Sequence, residues 1–169
     1  MKFNSHFALG IVAMITLMST LVIGAEEETQ AHQRQHEVAQ RGAAIMPFDL
    51  SRTTHVFDDQ ADGGLQTVTA NDLSDTAQIY LIRDHLAELA NRFARGNFAD
   101  QAWLHGLDMP GLAELSADYK KLKITYYVLP NGASLKLASD DPAMVTAIHK
   151  YFSAQRSDHA AHGEMMHHH

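Results

Sequence analysis

The chain contains no cysteine at all. Disulfide bonds, a thiolate nucleophile, cysteine metal ligands, a lipid anchor on cysteine and covalent attachment of c-type haem are therefore excluded. Positive charge is also scarce, because 13 Lys and Arg residues stand against 20 Asp and Glu residues and give a net charge of −7 at pH 7. Nucleic acid is therefore not expected as a partner, since phosphate binding needs a basic surface.

Motifs of the common enzyme classes are also missing. The chain has no G-x-S-x-G nucleophile elbow, no P-loop G-x-x-x-x-G-K and no dinucleotide-binding G-x-G-x-x-G. The sequence therefore assigns no catalytic residue and favours a binding protein over an enzyme.

Long apolar runs are limited to one, Phe7–Ile23, which Lys2 precedes and Gly24-Ala25 and an acidic run follow. This order is typical of a secretory signal peptide that is cleaved near residue 25. A membrane anchor is the alternative, but the run is borderline for a span of roughly 18–20 apolar residues. We therefore expect a signal peptide over 1–25, a periplasmic or secreted location, and no stable membrane span after cleavage.

Turn residues and hydrophobic spacing divide the remaining chain into an N-terminal helix and two hairpin–helix units. Apolar residues recur every three or four positions from Ile79 to Phe93, which predicts a helix with one buried stripe. The predicted elements are a helix over 26–45, strands over 53–57 and 65–70 around a turn at 62–64, a helix over 75–95, a connector over 97–109, a short helix over 110–118, strands over 123–129 and 133–139 around a turn at 130–132, and a helix over 142–155.

Neither predicted hairpin is stable alone, so the two are expected to lie side by side. The expected fold is α+β, with a four-stranded antiparallel sheet that carries both long helices on one face. The segments that begin at Asp75 and Asp141 align without gaps, which is consistent with an internal duplication. We expect a single domain over 26–156 and a disordered tail over 157–169 that is rich in histidine and methionine.

Histidine is unusually abundant, with 12 residues in the chain beside eight methionines. Imidazole binds copper in both oxidation states and a thioether suits Cu(I), so copper is the first candidate. Zinc and nickel also bind histidine and are the alternatives.

The main candidate site combines His55, His85, His105, Met109 and Met46. A strand, the helix after its hairpin and the connector after that helix can bring the three histidines together. If the connector is helical or turn-like, the spacing of four residues places His105 and Met109 on one side. For each histidine alone, the alternative is an ordinary hydrogen-bonded residue at the edge of the core.

Accessory metal ligands are expected in two further places. A pair of histidines spaced by four residues lies on the first helix, where the alternative is incidental surface exposure. The tail holds the others, where the alternatives are a solubilising segment or a cloning remnant. These accessory residues are His32, His36, His159, His162, Met165, Met166, His167, His168 and His169.

Four stretches, RGAAIMPFDLSRTTHVF, GGLQTV, QIYLIRDHLAELANRFARGNF and HGLDMPGLAEL, lie between Arg41 and Leu115. They resemble a family of small exported bacterial proteins that often carry the name aspartate carbamoyltransferase. The resemblance implies residence in the bacterial envelope. The transferase activity itself is not expected, because the stretch from Ser51 to His55 lacks the second arginine of the S-T-R-T-R motif and no H-P-x-Q occurs.

The sequence thus predicts a periplasmic metal-binding protein, copper first, with no assigned protein partner. One alternative is a cofactor-free structural or interaction protein of the envelope, whose histidines would scatter over the surface. The other is a module that binds haem or a small organic ligand, which would need a sizeable apolar pocket beside a histidine.

Overall fold

The computed structural model describes the backbone of residues 9–164 and the side chains of Glu26 and residues 28–159. The chain forms two compact units, of which the first ends at Arg34 and the second begins at Gln35. The first unit is described as part of helix α1 (Leu9–Ile45). The sheet, the core and the cavity described below belong to the second unit.

The second unit contains two β-hairpins, each followed by a long helix. Its elements after α1 are a 3₁₀ turn (Leu50–Arg52), β1 (Thr53–Gln60), β2 (Gly63–Ala70), α2 (Thr76–Ala94), α3 (Ala99–His105), α4 (Leu112–Ala117), a second 3₁₀ turn (Tyr119–Lys121), β3 (Lys123–Leu129), β4 (Gly132–Ala138) and α5 (Pro142–Glu164).

The four strands form one antiparallel sheet in the order β1-β2-β4-β3. The two hairpins meet through their inner strands, where Val68 of β2 lies opposite Ala133 of β4. His55 of β1 is also paired with Val68, so these residues share one face of the sheet. The expected α+β fold, with its four-stranded antiparallel sheet, is confirmed.

The core lies between this face of the sheet and the two long helices. One cluster joins α2 to the middle of the sheet through Ile82 and Leu86. A larger cluster joins α5 to Phe57 on β1 and to Leu135 and Leu137 on β4. Because both clusters use the same face of the sheet, the helices form one layer and the strands the other.

The first hairpin is longer than predicted. β1 continues to Gln60, which pairs with Gly63, and only residues 61 and 62 form the loop. Gly63 has a φ of +148°, and a Cβ there would lie 2.1 Å from the carbonyl oxygen of Leu137. Glycine is needed at this position because β2 approaches the backbone of β4 closely.

The predicted connector over 97–109 contains a helix, α3. The side chain of Asn97 accepts a hydrogen bond from the backbone N–H of Ala99, and Asp100 in the first turn pairs with Arg92. The predicted helix over 110–118 is shorter, since Gly111 has a φ of +81° and α4 begins only after it.

The last helix continues beyond its predicted end at residue 155. α5 extends to Glu164, so the predicted tail boundary at 156/157 falls inside a helix. Asp158 is 3% exposed, which is the burial of a core residue. The prediction of a disordered tail from residue 157 is therefore wrong up to Glu164, while residues 165–169 lie outside the described part of the chain.

Within residues 26–159, except 27, no helix is long and apolar enough to cross a membrane. The predicted signal peptide lies outside this range.

Candidate metal site

Four histidine side chains line one small cavity between the sheet and the helices, with a volume of about 30 Å³. They come from four different elements: His55 from β1, His85 from α2, His105 from the end of α3 and His159 from α5. Apolar side chains supply much of the remaining wall, among them Val38, Met46, Phe48, Leu50, Val68 and Leu86.

Strand and helix geometry place the first two histidines at the cavity. Side chains alternate along a strand, so His55 shares the inner face with Phe57, which is 5% exposed. On α2, His85 lies next to Leu86, which belongs to the buried stripe. His85 is therefore at the edge of that stripe and is only partly buried.

The other two histidines lie at helix positions that the sequence leaves ambiguous. His105 is the last residue of α3, and Gly106 follows with a φ of +94°, a conformation that glycine adopts readily. His159 lies seven residues, about two helical turns, after Phe152 on α5, which places both on one face of the helix. Phe152 is fully buried, so this face points towards the core.

The ring of His159 is close to two of the other imidazoles. Its centroid lies 5.7 Å from that of His55 and 5.5 Å from that of His105. Phe57 stacks on His159 at a centroid distance of 5.8 Å. Phe48 contacts the rings of both His55 and His85, at 5.9 and 5.5 Å. Three imidazoles thus form a compact group, and His85 lies on the Phe48 side of the cavity.

A buried carboxylate holds one of these rings in place. Nδ1 of His105 lies 2.8 Å from Oδ2 of Asp158, and the two side chains are 1% and 2% exposed. With Nδ1–H donating to the carboxylate, Nε2 of His105 carries the lone pair that a metal ion would use. This pairing of carboxylate and histidine recurs at metal centres, where it fixes the orientation of the ligand ring.

Three further polar side chains form a buried network beside the cavity. The Tyr151 hydroxyl donates to Oε1 of Gln101 at 2.9 Å, and Nε2 of Gln155 donates to Gln101 Oε1 and to the Tyr151 oxygen at 3.0 and 2.8 Å. Burial raises the pKa of Tyr151 far above its usual range, so the phenol stays protonated. Gln101 and Gln155 also line the cavity.

Burial also changes the titration of His85. Its pKa lies below the usual 6.5 because desolvation disfavours the charged ring, and the nearby charges of Asp100 and Arg92 have smaller, opposite effects. His85 is therefore neutral at pH 7, and a neutral imidazole is the form that binds a metal ion.

The two methionines of the main candidate site have different positions. Met46, between α1 and the first 3₁₀ turn, is partly buried and lines the cavity. Met109 is 3% exposed and belongs to the larger hydrophobic cluster with Leu112, away from the cavity lining. Met109 is not among the residues that line the cavity, since α3 ends at His105 and the chain turns at Gly106 before it reaches Met109.

The expected accessory residues are placed as follows. His32 and His36 are exposed on α1. His159, assigned to a tail by the sequence, instead lines the central cavity. His162 lies in α5, although its side chain is outside the described part. The other accessory residues, Met165, Met166, His167, His168 and His169, lie outside the described residues.

Sequence reasoning missed the polar residues around the site, namely Asp158, Gln155, Gln101 and Tyr151. Gln155 and Asp158 follow the buried Tyr151 on α5 at spacings of four and seven residues, which place them on the same face of the helix. This spacing could have predicted that both side chains are buried. Helical periodicity is normally followed only through apolar residues, so polar residues on the same face are overlooked.

Among the described side chains, no group of three or more His, Asp or Glu residues is arranged so that it could hold a metal ion. Comparison with known proteins gives no relative, since no family model, curated protein or solved structure matches the chain. Function must therefore be argued from the side chains that line the cavity.

Proposed function

We propose that the chain binds a transition-metal ion in the histidine-lined cavity, with His55, His105 and His159 as ligands. The observation that carries this proposal is the meeting of three imidazoles from three separate elements, one of them held by the buried carboxylate of Asp158. Chance surface histidines would not share one cavity wall.

The two ring separations that involve His159 are close to those of imidazoles bound to one ion. A metal about 2.0–2.1 Å from each nitrogen would hold neighbouring ring centroids roughly 5–5.5 Å apart. The centroids of His105 and His159 are 5.5 Å apart and those of His55 and His159 5.7 Å apart. The described side chains do not form a group that could hold an ion as they stand, so the proposal requires the three rings to move when the ion binds.

Copper is the first candidate for this ion. The chain offers no thiolate, so a soft metal would have to use imidazole and thioether ligands. Met46 on the cavity wall supplies a thioether within the same site, and His85 is a further imidazole. Zinc and nickel compete for imidazole ligands, so the metal preference depends on Met46.

We also propose that this binding takes place outside the cytosol, in the bacterial envelope. The supporting observation is the apolar run Phe7–Ile23 with its basic start and small residues at its end. Histidines and methionines near the C-terminus would then act as accessory ligands.

The cavity is too small for the alternative function, the binding of haem or a small organic ligand. Sites for organic ligands occupy roughly 300–1,000 Å³, whereas this cavity has about 30 Å³. Haem would have to displace much of the core. A purely structural role would not explain why four histidines line the same cavity.

Metal titration of the full chain tests the proposal. We expect one equivalent of copper to bind more tightly than about 10 μM in competition with a chromophoric chelator. The substitutions His55→Gln and His159→Gln should each weaken this binding at least about tenfold. His36→Gln, on an exposed part of α1, is the matched control.

Deletion of residues 165–169 separates the cavity from the C-terminal histidines. If the shortened chain binds no metal more tightly than about 10 μM, the cavity is not a metal site. If zinc or nickel binds as tightly as copper, the site stands but the copper preference fails.

A further inference from the structure

Strand β3 forms one edge of the sheet, and its outer backbone groups have no hydrogen-bond partner in the part of the chain that the structure describes. Leu129 and Gly132 flank a two-residue loop, so they exchange backbone hydrogen bonds with each other. Bonded residues alternate along an antiparallel pair, so the N–H and C=O groups of Ile124, Tyr126 and Val128 point away from β4. This edge therefore offers a row of donors and acceptors to another strand.

The opposite edge of the sheet, β1, is protected in a way that β3 is not. Arg156 of α5 donates to the carbonyl oxygen of Phe57 at 2.9 Å and pairs with Asp59 on the same strand. Proteins commonly protect edge strands with charges and covering side chains, because an open edge pairs readily with other strands. On β3 the only charged residue is Lys123, which lies at the end of the strand and pairs with Asp140.

Exposed apolar side chains accompany the open backbone groups of β3. Val128 is 63% exposed and Tyr127 is 46% exposed. No residue from 124 to 135 is charged, whereas the chain as a whole has a net charge of −7. Two copies of an acidic chain repel each other over most of their surface. The uncharged edge is therefore a place where a second copy can approach closely.

We propose that two copies of the chain pair through β3 in antiparallel orientation, which joins their two four-stranded sheets into one continuous sheet. With Tyr126 on the two-fold axis, each Tyr126 pairs with its own copy, and Ile124 pairs with Val128 of the other copy. Every outward N–H and C=O group of these residues then has a partner. Ile124 and Val128 also form apolar cross-strand pairs. The two copies of Lys123 lie at opposite ends of the paired strands, so they do not repel each other.

The choice of a second copy rests on the symmetry of this arrangement. A two-fold interface uses the same surface on both subunits, so the surface must be complementary to itself. β3 meets that condition about Tyr126 in its hydrogen-bonding groups, in its apolar pairs and in the position of its one charge.

Sedimentation equilibrium of the full chain tests the dimer. We expect a dissociation constant below about 100 μM. Val128→Pro removes an N–H group that donates across the interface and leaves the bonds to β4 intact, since proline is tolerated where the N–H faces outward on an edge strand. It should weaken the dimer at least about tenfold, because symmetry removes two hydrogen bonds. Val128→Thr keeps the N–H group and the branched shape, and is the matched control.

Disulfide cross-linking tests the register and does not depend on the folding of the proline variant. The chain has no cysteine, so Thr125→Cys and Tyr127→Cys each introduce a single thiol. In the proposed register these positions lie directly opposite each other, at a Cα separation of about 4.5 Å that a disulfide can bridge. A mixture of the two variants should therefore cross-link faster than either alone, where the thiols are diagonal neighbours about 7–8 Å apart. Val56→Cys, a half-exposed position on β1, is the control and should not cross-link.

The contrary outcomes are distinct. A full chain that stays monomeric at about 100 μM refutes the self-pairing and leaves the edge to an extended segment of another protein. Equal weakening by Val128→Pro and Val128→Thr, or equally rapid cross-linking of Val56→Cys, means that the dimer uses another surface. Cross-linking of each single variant as fast as the mixture refutes the register about Tyr126.

Discussion

Oδ2 of Asp158 lies 2.8 Å from Nδ1 of His105, and both side chains are almost completely removed from solvent. The two residues are 53 positions apart, at the end of α3 and late in α5. A buried carboxylate is retained where it is paired, because its isolation from water is costly. The contact therefore joins the two helices and orients one ring of the proposed site.

Asp158→Asn tests the role of this contact in metal binding. The amide keeps the shape of the side chain but removes the negative charge that supports the His105 ring. We expect metal affinity to fall by about 10- to 100-fold, as for other partners of ligand histidines. Asp59→Asn, which disrupts a half-exposed pair with Arg156, is the control and should leave the affinity unchanged.

Asp158→Ala adds a stability measurement to the same question. Removal of the carboxylate from Nδ1 should lower the free energy of unfolding of the metal-free chain by about 1.5–3 kcal/mol, the range for hydrogen bonds to charged groups. Denaturant unfolding measures this difference. A loss below about 0.5 kcal/mol would show that the buried contact contributes little.

The element order was largely predictable from the sequence because its signals are local. Asn131-Gly132 marks the second hairpin, and the stripe from Ile79 to Phe93 matches α2 (Thr76–Ala94) within one residue at each end of the predicted range. Such signals depend on neighbours within a turn or a hairpin. They require no knowledge of how distant segments pack.

The meeting point of the histidines was only partly predictable. His55, His85 and His105 could be expected on adjacent elements, but their distances depend on how α2, α3 and α5 pack on the sheet. His159 was assigned to a tail because α5 becomes polar after Phe152. Gln155 and Asp158 continue the buried face with polar side chains that hydrogen-bond to Gln101 and His105 of α3, and hydrophobic periodicity does not detect such residues.

Met46 and Met109 form a matched pair for testing the copper preference. Met46→Leu should weaken Cu(I) binding by about tenfold, or about 1.4 kcal/mol, and leave Zn²⁺ binding unchanged, because only copper gains from the thioether. Met109→Leu should leave both affinities unchanged, since Met109 is buried outside the cavity lining. Competition titrations with both ions measure the effects. An equal loss of Cu(I) affinity in both variants would contradict the assigned positions.

His85 makes stability depend on pH in a defined direction. Its pKa in the folded chain is lowered by burial from 6.5, so below that pH the unfolded chain binds more protons. The free energy of unfolding should therefore fall as the pH decreases below about 6.5, by up to about 1.4 kcal/mol per pH unit for this group. His85→Gln should remove this part of the slope.

Denaturant unfolding between pH 8 and pH 5, with a chelator present, measures the slope. At pH 8 both chains are neutral at position 85, so any difference there reports packing alone. A slope in His85→Gln equal to that of the wild type would show that His85 does not contribute to acid sensitivity.

Gly111 should be intolerant of a side chain because α4 approaches α5 closely. Its φ is +81°, and a Cβ would lie 2.2 Å from the carbonyl oxygen of Ala147. Gly111→Ala should therefore lower the free energy of unfolding by at least about 2 kcal/mol. Gly106→Ala is the control, since its φ is also positive but its Cβ would meet only the exposed side chain of Asp108. This control should cost about 1 kcal/mol, and equal losses would show that the contact with α5 is unimportant.

Two truncations decide whether the C-terminal segment belongs to the folded site. A chain that ends at Glu164 retains α5 as the structure has it, and should keep one tightly bound metal ion with affinity within about threefold of the full chain.

A chain that ends at Arg156 lacks His159, Asp158 and the carbonyl of Ser157 that accepts a hydrogen bond from Gln35. It should lose the cavity site and at least about 2 kcal/mol of stability, because His105 no longer has its carboxylate. Metal titration and denaturant unfolding of both chains measure these effects. Full retention of metal affinity in the shorter chain would place the binding elsewhere, because two of the residues that build the cavity site would be gone.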